Sequence, residues 1–97
     1  MISKKIPYEF INKLKKMSFI DEIWLYGSRA RDAHQERSDI DLAIICPKAS
    51  KDDWIEILKV IEEKDTLLQV DTVRYDEIKD IEFKKRIEKE KIVLYKK

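Results

Sequence analysis

Apolar residues recur along the chain at spacings that predict an alternation of helices and strands. Near the start, Ile6, Phe10, Leu14 and Met17 fall on one face of a helix predicted over residues 6–17. Because the apolar positions form a single stripe, this helix is expected to pack against another element through that face.

A second amphipathic pattern covers residues 50–64. Ser50 is placed to cap this helix, and Asp53 three residues later approximates a capping box, in which each side chain accepts the other residue's backbone N–H. The apolar face of the helix consists of Trp54, Ile57, Leu58 and Ile61. The pattern therefore predicts both the start of the helix and the side that it buries.

Between the helices lie short β-branched and aromatic runs that predict strands. They cover residues 22–26, 39–46, 67–75 and 92–95. A third helix, carrying Phe83 and Ile87, falls within residues 80–90. This order predicts an α/β (α+β) chain, a small mixed sheet of about four strands with helices packed against it. At this length, residues 1–97 are expected to form a single domain.

Composition narrows the function classes. Twenty-one basic residues against 20 acidic ones give a formal net charge of +1, which disfavours a nucleic-acid footprint spread over the surface. Cys46 is the one cysteine, so a disulfide framework and a cysteine-based zinc cluster are excluded. No apolar run approaches the ~18 residues of a membrane span, and the N-terminus lacks the apolar core of a signal peptide. A cytoplasmic location is therefore expected.

The single glycine, Gly27, follows the first predicted strand and is followed at once by Ser28. Glycine lets the backbone bend tightly and lets a ligand approach without a Cβ in the way. Ser28 is placed to begin a short helical turn over residues 29–33, whose unpaired N–H groups suit an anion such as a phosphate. The alternative is a plain turn with a capping serine.

Two aspartates follow a polar loop. Ten residues separate Ser28 from Asp39, and Asp41 comes two positions later. Because alternate residues of a strand share a face, these carboxylates lie side by side and repel each other. A divalent cation between them makes the arrangement favourable, and Mg²⁺ suits oxygen ligands together with substrate phosphates. The alternative is an exposed strand beginning whose aspartates face solvent.

Asp71 is a third aspartate, inside an apolar strand between Val70 and Val73. If this strand lies beside the strand of Asp39 and Asp41, three carboxylates converge. Three carboxylates fit a two-metal site, in which the third binds the second metal and can take a proton from an attacking hydroxyl. Together with a phosphate-binding turn, such a site describes nucleotidyl transfer.

The full pattern resembles the DNA-polymerase-β-type nucleotidyltransferase superfamily. It consists of Gly27-Ser28, ten intervening residues, Asp39-x-Asp41, and a later strand with Asp71. The text Gly-Ser-Arg-Ala-Arg, followed by Ser-Asp-Ile-Asp-Leu, is similar to that of the small stand-alone members, the minimal nucleotidyltransferases (MNT). The resemblance extends over nearly the whole chain and implies a polymerase-β-like fold.

The resemblance also implies a substrate, a cofactor and a partner. MNT proteins use a nucleoside triphosphate, here expected to be ATP, with Mg²⁺, and two ions are expected. Many are encoded beside a helical HEPN protein, a toxin with RNase activity in several systems, and act as its antitoxin. Some transfer AMP to a tyrosine of the toxin. The implied protein is thus an adenylyltransferase that forms a hetero-oligomer with a HEPN toxin.

Carried over residue by residue, the resemblance assigns roles to six positions. The implied nucleotide-binding residues are Gly27, Ser28 and Arg29, and the implied metal-binding and catalytic residues are Asp39, Asp41 and Asp71. Asp71 is implied as the third metal ligand or the base.

One departure from the group bears on activity. MNT proteins commonly have glycine directly after Arg-Ala-Arg, where this chain has Asp32. A side chain there narrows the loop and adds negative charge near the phosphates, which favours a non-catalytic, nucleotide-binding antitoxin that covers its partner. Arg29 and Arg31 either offset triphosphate charge or pair with Asp32, Glu36 or Asp39.

Two other acceptors are disfavoured. Small-molecule transferases of this superfamily normally need a second, helical domain to hold the acceptor, and a chain of this length is not expected to supply one. RNA is disfavoured as an acceptor by the near-neutral net charge.

Overall fold

A computed structural model describes residues 8–31 and 39–97 of the chain. The helices are α1 (Glu9–Lys15), α2 (Lys51–Glu62) and α3 (Ile81–Glu90), and a 3-10 turn covers Tyr75–Glu77. The strands are β1 (Glu22–Tyr26), β2 (Ile40–Ile45), β3 (Val70–Arg74) and β4 (Ile92–Lys96). Within these described ranges, no helix is long and apolar enough to cross a membrane.

The four strands form one mixed sheet in the order β3-β2-β1-β4. β1 runs antiparallel to both β2 and β4, whereas β2 and β3 are parallel. A parallel pair needs a crossover, and α2 supplies it between β2 and β3. The predicted fold class, a small mixed sheet with packed helices, is confirmed.

The sheet is covered on both faces. Because side chains alternate along β1, Ile23 and Leu25 join the larger core with α1 and α2, whereas Trp24 and Tyr26 pack on the other side with Ile87 of α3. The central strands β1 and β2 are therefore mostly apolar and buried, with Glu22 and Asp41 as their polar residues. The face under α3 is the one that carries the polar groups described below.

The predicted cap of α2 is confirmed. The Ser50 side chain accepts the Asp53 N–H at 3.1 Å, and the Asp53 carboxylate accepts the Ser50 N–H at 2.9 Å. Ile57 and Ile61 are buried as predicted, but Leu58 is 41% exposed. The prediction for Leu58 was wrong because the face of α2 that contacts the core is narrower than the apolar stripe in the sequence.

Two predicted boundaries were also wrong. The third strand begins at Val70 rather than at residue 67, and Leu67 is fully exposed. The Thr66 hydroxyl accepts the Leu68 N–H at 3.1 Å, and this local bond gives the backbone an alternative to strand pairing. The first helix ends at Lys15, two residues earlier than predicted, while residues 6 and 7 lie outside the described ranges.

Asp65, in the loop after α2, caps the distant helix α1. Its carboxylate accepts the backbone N–H groups of Glu9 and Phe10 at 2.9 and 3.1 Å. These are donors that the first turn of a helix cannot satisfy internally. The bond from Glu9 is the main reason that the pKa of Asp65 lies below its usual range.

We expect Asp65→Ala to lower the melting temperature at neutral pH, since α1 loses its cap. Because the pKa of Asp65 is lowered on folding, its contribution is present above the unfolded-state pKa and is lost as the pH falls through the lowered value. The gap between wild type and variant should therefore close in acid. Thermal denaturation across pH measures it, with exposed Glu62→Ala as the control. Equal melting of wild type and Asp65→Ala at pH 7 would contradict this role.

Candidate active site

The turn after β1 requires glycine for two reasons. Gly27 has φ +77°, in the left-handed region that side chains disfavour. A Cβ at this position would also lie 2.4 Å from the Asp41 Oδ2. The glycine expected at the bend is therefore in close contact with one of the predicted site carboxylates.

The segment after Gly27 folds into a single turn. The Arg31 N–H donates to the Gly27 carbonyl at 3.2 Å, and Ser28 lies within this turn. The short helical turn predicted over residues 29–33 is thus a turn as far as Arg31, and residues 32 and 33 lie outside the described ranges. Asp32 and the polar loop through residue 38 are likewise not described.

The strand register brings the predicted carboxylates to one end of the sheet. Asp41 on β2 pairs with Asp71 on the neighbouring parallel strand β3, and on its other side with Tyr26 of β1. Asp39 directly precedes β2. The strand of Asp71 therefore lies beside that of Asp41, which is the condition on which the three-carboxylate hypothesis depended.

Asp41 is the carboxylate most affected by its surroundings. Asp39 and Asp71 are exposed, whereas Asp41 is partly buried. Burial raises the pKa of Asp41, and the charges of Asp71 and Asp39 raise it further. An added cation would relieve this repulsion, so the charge distribution suits a metal ion.

The carboxylates do not, however, form a ready-made coordination group. Among residues 8–31 and 39–97, no three His, Cys, Asp or Glu side chains are arranged to hold a metal ion. The Asp71 carboxylate instead accepts a hydrogen bond from the Gln69 side chain at 3.2 Å. The donor atoms are all carboxylate oxygens, the kind that Mg²⁺ prefers, so the residues fit this metal in chemistry and in charge.

Helix α3 covers this end of the sheet. Phe83 packs edge-to-face on Tyr26 with ring centroids 5.9 Å apart, and the Arg86 guanidinium lies 5.3 Å from the Phe83 ring centroid. The positive charge of Arg86 opposes the rise in the pKa of Asp41. Burial, followed by the charge of Asp41, raises the pKa of Tyr26 to about 12, so this tyrosine is neutral at physiological pH. Tyr26 is 5% exposed and belongs to the apolar cluster under α3.

Glu90, the last residue of α3, completes the turn and was missed from the sequence. Its carboxylate accepts the Gly27 N–H at 3.2 Å and pairs with the Arg31 guanidinium. One of the two alternatives for Arg31 paired it with Asp32, Glu36 or Asp39, and the first two of these lie outside the described ranges. Local sequence offered no signal for this contact, because position 90 comes beside position 27 only once β4, which follows α3 directly, pairs Ile92 with Leu25.

The two arginines of the turn differ in exposure. Arg29, predicted to bind nucleotide, is a buried residue with 6% exposure. The Arg31 side chain is 52% exposed beside Gly27. Arg31 is therefore better placed than Arg29 to meet an anion arriving from solvent.

Comparisons with known proteins agree with this architecture. A toxin–antitoxin crystal structure with AMP-PNP is 18% identical, with a TM-score of 0.69 over 98% of this chain and 75% of that chain. A mutant of the toxin–antitoxin pair MntA-HpeT, with two Asp→Glu substitutions, is 18% identical, with a TM-score of 0.64 over 90% and 70% of the two chains. A candidate nucleotidyltransferase from Sulfolobus solfataricus is also 18% identical, with a TM-score of 0.58 over 92% and 76%.

No curated protein sequence matches the chain. The family described as "Polymerase beta, Nucleotidyltransferase" matches residues 9–97. The matched segment contains the Gly27 turn and all three aspartates. The chain therefore belongs to the polymerase β nucleotidyltransferase family.

Proposed function

We propose that this protein transfers AMP from ATP to a hydroxyl group of a partner protein, a tyrosine of a HEPN toxin, and thereby acts as its antitoxin. The observation that carries the proposal is the register that aligns Asp41 with Asp71 next to the Gly27 turn. Family membership supports nucleotidyl transfer as the kind of reaction.

The turn and its arginine are the proposed phosphate site. Backbone N–H groups that follow Gly27, together with the Ser28 hydroxyl, suit phosphate oxygens. Arg31 lies at the solvent-exposed side of the same turn and offsets phosphate charge. Arg29 is the proposed support of the turn, from its buried position.

Asp39, Asp41 and Asp71 are the proposed Mg²⁺ ligands. When bound, Mg²⁺ supplies charge neutralisation at the phosphates. The three carboxylates supply the negative charge that attracts the ion. Burial raises the pKa of Asp41, and a bound cation would favour its ionised form. Asp71, the exposed member on the edge strand, is accessible to an acceptor arriving from outside.

In the proposed reaction, the acceptor oxygen attacks the α-phosphorus of ATP. A new oxygen–phosphorus bond forms, the bond to the β-phosphate bridging oxygen breaks, and pyrophosphate leaves. The acceptor hydroxyl gives its proton to a carboxylate, and Asp71 is the proposed acceptor of that proton. The product is an AMP ester of the acceptor.

The partner assignment rests on similarity. Two proteins with the same fold were crystallised as toxin–antitoxin complexes, one of them with AMP-PNP. With the MNT-like motif text, this supports a HEPN toxin as the acceptor and ATP as the nucleotide.

One observation favours a second function, an antitoxin that binds nucleotide without transferring it. Asp71 is engaged by Gln69, and the described carboxylates are not arranged as a metal group. In that case the protein neutralises its toxin by covering it.

Co-expression with the protein encoded by the neighbouring reading frame tests the proposal. We expect intact-mass spectrometry to show AMP added to the partner, and Asp71→Asn to abolish both the added mass and the rescue of cell growth. The control is Asp52→Asn, an exposed aspartate of α2. An unmodified partner that Asp71→Asn still neutralises would support the second function instead.

A further inference from the structure

We propose that Glu90 is a positioning residue, which holds Arg31 and the Gly27 turn in the geometry that receives the nucleotide phosphates. The inference rests on the proposed function. Glu90 lies at the end of α3, outside the glycine–serine and aspartate motifs. It acts through Arg31 and does not itself contact the nucleotide.

The two oxygens of the Glu90 carboxylate bind different partners. Oε1 accepts the Gly27 N–H, while Oε2 pairs with Arg31 Nη1. A guanidinium has five N–H donors. Glu90 engages one guanidinium nitrogen of Arg31, Nη1, and therefore does not itself occupy the other donors. Glu90 thus restrains Arg31 without using up its binding capacity.

Burial is uneven across this ion pair. The Glu90 side chain is 13% exposed and the Arg31 side chain 52% exposed. The inner partner is therefore anchored by the fold, and the outer one faces solvent. This is the arrangement expected of a support that presents a cationic group to an incoming anion, because restraint before binding lowers the entropic cost of binding.

Glu90 keeps its charge in this environment. Burial raises the pKa of Glu90, but the hydrogen bonds from Arg31 and from the Gly27 N–H together lower it by more. The net pKa of Glu90 therefore lies below its usual range. This charge also raises the pKa of Asp41 and of Tyr26 nearby. A fourth acidic side chain beside three aspartates adds to their electrostatic repulsion. A neutral residue at position 90 would avoid this repulsion, so the carboxylate is best explained by its pairing with Arg31.

Glu90→Gln removes the charge while keeping an oxygen for the Gly27 N–H. We expect the dissociation constant for AMP-PNP with Mg²⁺, measured by titration calorimetry, to rise by about 10-fold, the effect of losing one charge-assisted hydrogen bond. Arg31→Ala should weaken binding at least as much. Glu88→Gln is the control, because Glu88 lies on the same helix as Glu90 but bonds Tyr75 and Lys91.

The double variant Glu90→Gln with Arg31→Ala separates positioning from a structural role. If Glu90 acts through Arg31, adding Glu90→Gln to Arg31→Ala should change the dissociation constant by less than about 2-fold. Adenosine, which lacks phosphates, should bind all single variants as it binds wild type. A folding defect would weaken adenosine and AMP-PNP together, and would overturn the inference.

Other outcomes are equally decisive. Tighter AMP-PNP binding by Glu90→Gln would overturn positioning, since the carboxylate would then be a competitor of the phosphates. Unchanged binding by Glu90→Gln, or the full 10-fold loss in the Arg31→Ala background, would overturn only this inference. Absence of binding by the wild-type chain would overturn the proposed function and the inference with it.

Discussion

Asp41→Asn is expected to abolish AMP transfer while raising the melting temperature of the protein. The variant removes the carboxylate that lies between Asp71 and the Gly27 turn. Loss of one electrostatic group at a reacting centre typically costs roughly 100- to 1,000-fold in rate. We expect a loss of at least that size in the initial rate of AMP transfer to the partner.

The stability gain follows from the raised pKa of Asp41. Burial and the charges of Asp71 and Asp39 disfavour its ionised form in the folded state. A raised carboxyl pKa stabilises the fold at low pH, and this contribution is lost as the pH rises through the folded-state value. At neutral pH the ionised Asp41 carboxylate therefore lowers the free energy of unfolding, and replacing it with an amide removes this destabilisation. Stability and activity should change in opposite directions, as at other sites built for function.

Thermal denaturation at pH 7 without added metal checks the stability claim, and label transfer checks the rate. Mg²⁺ should raise the melting temperature of wild type more than that of Asp41→Asn, because the variant has lost a proposed ligand. Asp52→Asn, on the opposite side of the sheet, serves as the control. A variant that melts below wild type, or that keeps the wild-type rate, would contradict the role given to Asp41.

Gly27→Ala is expected to lower both stability and activity. The left-handed backbone at Gly27 costs an alanine about 1–2 kcal/mol. For a domain of this size, that lowers the melting temperature by roughly 4 °C or more. In addition, the new Cβ would meet the Asp41 Oδ2 at 2.4 Å, so the carboxylate must move from its place. We expect AMP transfer to fall further than the loss of stability explains.

The Asp41→Ala background separates these two causes. Removing the carboxylate relieves the steric part of the Gly27→Ala effect and leaves the backbone part. The coupling between the two substitutions, obtained from unfolding free energies, should be at least about 0.5 kcal/mol, the lower end for residues in contact. Additive effects, or a Gly27→Ala protein as stable as wild type, would show that the contact is unimportant.

Local sequence patterns predicted much of the fold. Ser50 and Asp53 form the capping box because both partners lie within one helical turn. The sequence left open whether the strand of Asp71 lies beside that of Asp41, and the register shows that it does. Gly27 was predicted at the bend because a lone glycine after a strand has few other uses.

The features that sequence reasoning missed depend on residues far apart in the chain. Glu90 contacts Gly27 across 63 positions, and Asp65 caps α1 across 56. No local period encodes such pairs, since they arise only after the sheet register is set. Leu58 and Leu67 are exposed although their patterns predicted a helix face and a strand. Hydrophobicity alone does not determine which apolar residues are buried.

The most direct test of the proposed function is the fate of labelled phosphate. Purified protein, Mg²⁺ and the partner should be incubated with ATP labelled at either the α- or the γ-phosphate. Nucleotidyl transfer predicts that the α-label appears on the partner, that the γ-label leaves as pyrophosphate, and that Asp41→Asn transfers neither. Transfer of the γ-label, or neutralisation of the toxin without any transfer, would contradict the account.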